Sequence, residues 1–126
     1  MHALMITCQV VAALGLLNVW LLRANRSTPY RGGAARNMRE EFAAYGLPGW
    51  FVVVVGTLKV GAALALLAGI WYPSLVLPAA LLICLLMLGA LSMHARIGDP
   101  FTKFVPAAGM LLLGVVLVLG SVNGRY

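Results

Sequence analysis

Six polar side chains stand in or against long apolar runs of this chain: Gln9, Asn18, Lys59, His94, Arg96 and Asp99. Lys59 is the costliest. It lies about ten residues into its run, roughly 15 Å deep at 1.5 Å of rise per residue. An ammonium at that depth costs a few kcal/mol on insertion scales. It lowers that cost by snorkelling, by pairing with an oxygen, or by losing its proton. No Asp or Glu lies inside any apolar run. That leaves Asn18, Gln9 and backbone carbonyls as acceptors. The functional reading of Lys59 is a site for an anionic or carbonyl-bearing ligand, such as a quinone head group. The structural alternative is a snorkelling lysine with local hydrogen bonds.

His94, Arg96 and Asp99 form the densest polar group, His-Ala-Arg-Ile-Gly-Asp-Pro. Asp99 is placed to accept from Arg96 or to cap the approach to the next helix. His94 is a candidate proton relay. Cys84, Met87, Leu91 and His94 share one helical face. That face holds a single histidine and its candidate ligands lie far apart, so no metal site is assigned. No Ser-His-Asp set, phosphate-binding loop or catalytic carboxylate pair is visible.

The elements that must position these groups are membrane helices. Hydrophobic residues make up 63% of the 126 residues and charged residues 10%. A soluble domain carries about a quarter charged residues. One small core cannot hide this apolar excess, so lipid must cover part of it. Four spans are predicted, at about 3–22, 48–70, 75–95 and 105–122, each near the ~20 residues that cross a bilayer. Residues 1–126 then make one all-α domain, an integral membrane four-helix bundle. The polar connection between spans 1 and 2 carries a helix over 34–45, with Met38, Phe42 and Tyr45 on one face. It is expected to lie in the membrane interface as a short amphipathic helix. Ser74 is the expected cap of the third span. Gly61, Ala65 and Gly69 form a row of small residues suited to helix packing, with a homo-oligomer contact as the alternative.

Five of the nine cations, Arg23, Arg26, Arg31, Arg36 and Arg39, fall in one connection, and Arg96 and Lys103 fall in another on the same side. The positive-inside rule puts both loops in the cytoplasm and both termini outside the inner (plasma) membrane. The clustered charge suits anionic lipid rather than nucleic acid, for which no aromatic-interleaved basic face exists. Cys8 and Cys84 form no CxxC pair and no disulfide framework.

Several short motifs, in order, resemble the DoxX-like family of small four-span membrane proteins. They are Tyr-Arg-Gly-Gly from Tyr30, then residues 37–50 (Asn-Met-Arg-Glu-Glu-Phe-Ala-Ala-Tyr-Gly-Leu-Pro-Gly-Trp) and Val-Gly-Thr-Leu-Lys-Val from Val55. Ala80 onward into Gly89 and Ala90 follows, then His-Ala-Arg-Ile-Gly-Asp ending at Asp99. The resemblance spans about residues 30–115. It implies a four-helix membrane bundle. The family's name derives from a subunit of an archaeal thiosulfate:quinone oxidoreductase, and some relatives accompany membrane redox complexes. The resemblance carries over no catalytic residues. The expected role is a quinone- or redox-complex-associated membrane subunit, with electrons supplied by another chain. The alternatives are a non-catalytic scaffold or assembly factor docking other membrane subunits, and a binder of a small amphiphile. The two would differ in whether the purified protein carries a ligand.

Overall fold

A computed structural model describes residues 2–18, 20 and 37–122, and every element among them is helical. They are α1 (His2–Leu17), α2 (Met38–Ala44), α3 (Gly49–Ala68), α4 (Val76–Arg96) and α5 (Val105–Val122). Short 3₁₀ turns, Pro73–Leu75 and Phe101–Phe104, lead into α4 and α5. With their leading turns, α3, α4 and α5 are long and apolar enough to cross a membrane. At 1.5 Å per residue, the 20 residues of α3 span about 30 Å, the thickness of the hydrocarbon layer. The α-helical part of α1 has 16 residues. Residues 21–36, which hold most of the arginine-rich connection and the end of the expected first span, lie outside the described residues.

The long helices pack as a ring: α1 on α3, α3 on α4, α4 on α5 and α5 back on α1. Small residues set the spacing. Ala12, Ala13, Ala62, Ala63, Ala79 and Ala80 are buried around Met5, Leu66, Ile83 and Leu117. A Cβ at Gly114 would lie 2.8 Å from the Cys84 sulfur, and one at Gly120 would overlap Met5, so α5 lies against its neighbours through its glycines. The expected row is used only in part. Gly69 is buried and Ala65 partly buried, but Gly61 is exposed, with nothing within 4 Å of where its Cβ would stand. The packing seam lies one residue further round, at Ala62 and Ala63.

Leucines and valines face outward along all four long helices, including Leu14, Leu64, Leu85, Leu112 and Leu119. Exposed aromatics bracket this band, Trp50 and Phe101 at one end and Trp71 and Tyr72 at the other. That is the pattern of a lipid-facing belt with interfacial anchors.

One device ends both α2 and α4. Gly46 and Gly98 take φ of +81° and +69°, the left-handed region that glycine enters without steric cost. After α2, the Leu47 N–H donates to the Phe42 carbonyl and the Gly46 N–H to Ala43, each at 3.0 Å. After α4, Asp99 N–H donates to His94 at 3.0 Å and Gly98 N–H to Ala95 at 3.2 Å. Both are Schellman closures, which bring the second residue past the cap back over the third residue from the end. At α2 the pair so joined is Phe42 and Leu47. At α4 it is His94 and Asp99. A proline follows each closure, Pro48 and Pro100, and turns the chain into the next element. Since a Cβ at Gly98 would meet nothing within 4 Å, Gly98→Ala carries only the backbone cost, about 1–2 kcal/mol. Thermal unfolding in detergent should show that loss, and Gly61→Ala should show none. Equal melting of the two variants would mean that this turn does not depend on its left-handed glycine.

One local expectation is corrected. Ser74 does not cap α4. It lies inside the 3₁₀ turn, and Leu75 precedes the helix with no side-chain cap. The turn runs straight into the helix, and its Pro73 carbonyl already receives the Val76 N–H. The connection helix is seated on the bundle. Asn37 caps α2, accepting from the Glu40 N–H at 2.9 Å. Phe42 and Tyr45 are buried against Trp20, Leu47, Phe51, Val55, Met93 and Ile97. So α2 closes the end of the bundle with its aromatic face.

Candidate functional site

Beneath α2 lies a cavity of about 640 Å³. That volume falls within the ~300–1,000 Å³ of small-molecule sites. Its wall takes residues from all five helices: Asn18 and Trp20 after α1, Glu41 and Tyr45 from α2, Lys59 from α3, His94 from α4, and Met110 from α5. Most of the wall is apolar. The polar groups are Asn18, Glu41, Tyr45, Lys59, His94 and Lys103. Val54, Leu58 and Leu85 line the cavity and are also exposed on the outer surface. Among the described residues, the cavity therefore opens sideways, at the level of the lipid-facing belt.

Lys59 sits at the inner end. Its Nζ lies 5.2 Å from the centroid of the Trp20 ring, within cation–π range. Trp20 is held there because Gly56 has no side chain. A Cβ at Gly56 would stand 2.7 Å and 2.8 Å from two Trp20 ring carbons. Trp20 also meets Phe42 edge to face, with centroids 6.1 Å apart. Glu41 supplies the negative charge that acts on Lys59. The sequence offered Lys59 no carboxylate within the spans. The carboxylate comes from the connection helix, which folds over the bundle end.

A chain of buried groups forms the upper wall. The Tyr45 hydroxyl donates to Glu41 Oε1 at 2.7 Å and lies 3.4 Å from His94 Nε2. His94 Nδ1 lies 2.6 Å from Asp99 Oδ2, and Asp99 Oδ1 lies 3.9 Å from Lys103 Nζ. The Schellman closure after α4 makes the His94–Asp99 contact local, and the short separation marks a charge-assisted hydrogen bond. The His94 ring is further held between Tyr45 and Phe104, with centroids at 5.7 Å and 5.5 Å.

The structure thus brings Asn18, Lys59 and His94 to one cavity, with Asp99 directly behind His94. Gln9 is not part of it. It is buried in the core, where its Nε2 donates to the Leu66 carbonyl at 3.0 Å and ties α1 to α3. Arg96 is exposed and off the cavity wall, and the described partners of Asp99 are His94 and Lys103 instead. Arg96 lies two residues, about 200° of helical turn, past His94, on the opposite face of α4. Sequence reasoning missed Glu41, Tyr45 and Trp20. The spacing of Glu41 and Tyr45, i and i+4 on a helix whose apolar face includes Tyr45, was the available signal. Cys84 packs toward Gly114 of α5. Among the described residues no three His, Cys, Asp or Glu side chains converge as metal ligands.

Residues 32–119 match the family model described as the DoxX-like family. Over 83 residues, 65% of this chain and 73% of the relative, the sequence is 32% identical to "Uncharacterized protein YdgD" of Bacillus subtilis (strain 168). No solved structure matches.

Proposed function

The chain belongs to the DoxX-like family, and from that membership together with its lateral cavity we propose that it is a four-span membrane protein that binds a small amphiphile with a carbonyl-bearing head. A quinone is the class that fits best. In this reading the expected span at 3–22, of which α1 is the described part, is the fourth crossing. The observation that carries the proposal is the cavity: mostly apolar, holding Lys59 in its wall, and lined in part by Val54, Leu58 and Leu85, which are also exposed on the outer surface. A ligand dissolved in the membrane enters from the side. Lys59 donates to a carbonyl oxygen, and the Trp20 and Phe42 rings flank the head. Asn18, Tyr45 and His94 supply further donors and acceptors within the same wall. A quinone supplies two-electron redox chemistry when bound; this chain binds it, orients it and excludes water from it. The protein serves as the ligand-holding subunit of a membrane redox complex.

Trp20 makes the proposal measurable. Menadione titrated into the protein in nanodiscs should quench tryptophan emission saturably, and Trp20→Phe should remove the saturable part. Quenching that rises linearly with quinone, as for Trp50 and Trp71 exposed to lipid, would reject the site.

The same reading sets the orientation. α2, the α4–α5 turn and Lys103 share the cationic end of the bundle, which faces the cytoplasm. On a background without Cys8 and Cys84, a cysteine at Thr102 should react with an impermeant maleimide only from the cytoplasmic side, and one at Tyr72 only from outside. The opposite pattern would invert the topology.

A further inference from the structure

We propose that Glu41, Tyr45 and His94 form a proton relay along the cavity wall, with Asp99 holding His94 from the loop after α4. The proposal rests on the ligand reading only for what the relay serves; the relay itself is defined by the protein.

The members are consecutive in space and buried. Glu41 and Tyr45 line the cavity, and Asp99 lies on the loop side. Contacts of 2.7 Å, 3.4 Å and 2.6 Å connect them in order. Two arrangements of three mobile protons satisfy these three contacts. In the first, the Glu41 carboxylate accepts from the Tyr45 hydroxyl. His94 is then an imidazolium, donating Nε2–H to the Tyr45 oxygen and Nδ1–H to Asp99. In the second, protonated Glu41 donates to the Tyr45 oxygen, the Tyr45 hydroxyl donates to His94 Nε2, and neutral His94 keeps Nδ1–H on Asp99. The first becomes the second when the Nε2–H bond of His94 breaks as a new O–H forms on Tyr45, while the original Tyr45 O–H breaks as an O–H forms on Glu41. The count of protons is unchanged, and a positive charge has left His94 to neutralise Glu41. Tyr45 never holds a net charge before or after the exchange. The 3.4 Å step is the long one and shortens when the proton crosses.

Among the described residues, the groups that face His94 are these. α2 supplies Glu41 and Tyr45, the α4–α5 turn supplies Asp99, Lys103 and the Phe104 ring, and Lys59 of α3 stands across the cavity. Asp99 holds the histidine in one tautomer, as a carboxylate behind an imidazole does in other proton-transfer sites. Lys103 offsets the charge of Asp99, and Lys59 offsets that of Glu41. The first arrangement therefore stands among compensating charges, and the second leaves Asp99 paired with Lys103.

The test uses infrared titration of the ligand-free protein in nanodiscs. The chain has three carboxylate side chains and two histidines, so Glu41→Gln and His94→Gln assign the bands. In the wild type, the Glu41 carboxyl and His94 imidazole bands should both report the same two steps, because the protons of strongly coupled sites belong to the pair. Tyr45→Phe keeps the ring and removes only the linking oxygen. It should leave each band with a single step of its own, because the coupling that joins them is lost. Asp99→Asn, outside the Glu41–Tyr45 contact, should shift the Glu41 midpoint from the far end and serves if the tyrosine variant does not fold. Independent midpoints in the wild type, or a Glu41 titration indifferent to both variants, would overturn the relay. Menadione failing to bind would remove the ligand reading while leaving this titration as it is, so the two fail separately.

Discussion

Lys59→Met should fold as well as the wild type and bind menadione at least tenfold more weakly. The two halves of this result have different causes. Met keeps the length and flexibility of the lysine stem and removes the ammonium. An ammonium in mid-membrane costs about 2.5–3.5 kcal/mol on insertion scales. Its contact with the Trp20 ring returns about 0.5–2 kcal/mol, and the charge of Glu41 offsets only part of what burial takes away. Removing the ammonium therefore leaves thermal stability unchanged or raised. A hydrogen bond from a charged donor is worth about 1.5–3 kcal/mol, which is about ten- to a hundredfold in affinity. Stability by thermal unfolding and affinity by tryptophan quenching separate the two. A large loss of stability with unchanged affinity would make Lys59 a structural residue and remove it from the site.

Gly56→Val should damage both packing and binding. The first added carbon already stands under 3 Å from the Trp20 ring. The ring is the end of a side chain, so it swings away rather than forcing α3 off its neighbour. Overpacking of this kind costs about 1–3 kcal/mol. The ring's departure also uncovers Lys59 and breaks the edge contact with Phe42 that joins the end of α1 to α2. The expected result is a lower melting temperature, an altered Trp20 emission and loss of saturable menadione quenching. Gly61→Val, on the exposed face of the same helix, is the control and should leave all three as they are. Equal behaviour of the two variants would mean that Trp20 does not depend on Gly56.

The long helices were legible because burial in lipid demands one simple property, an unbroken apolar run. The expected spans at 48–70, 75–95 and 105–122 coincide with α3, α4 and α5 to within about two residues. Pro48 and Pro100, with Gly46 and Gly98 before them, mark the ends. The faces were less legible. In a helix apolar all round, little distinguishes Gly61, which faces outward, from Ala62, which is buried. The site was legible only from its spans. Lys59 and Asn18 stood out because hydrocarbon makes a polar residue costly. Glu41 and Tyr45 sit in a polar connection, where an acid and a tyrosine cost nothing. Their part in the cavity arises from the folding of α2 over the bundle end, a long-range event with no period to read. Arg96 was grouped with His94 by proximity in sequence. Its neighbour His94 points inward, and two helical residues later the side chain points out.

A photoreactive azidoquinone, cross-linked to the protein in nanodiscs and mapped by mass spectrometry, tests the cavity most directly. The label should fall on the lining segments, around Trp20, Phe42, Leu58 and Met93. Excess menadione should displace it, and Lys59→Met should weaken it. Label confined to outward-facing residues such as Leu64, Leu112 and Leu119, or label that menadione does not displace, would show that the quinone meets this protein only as bulk lipid does.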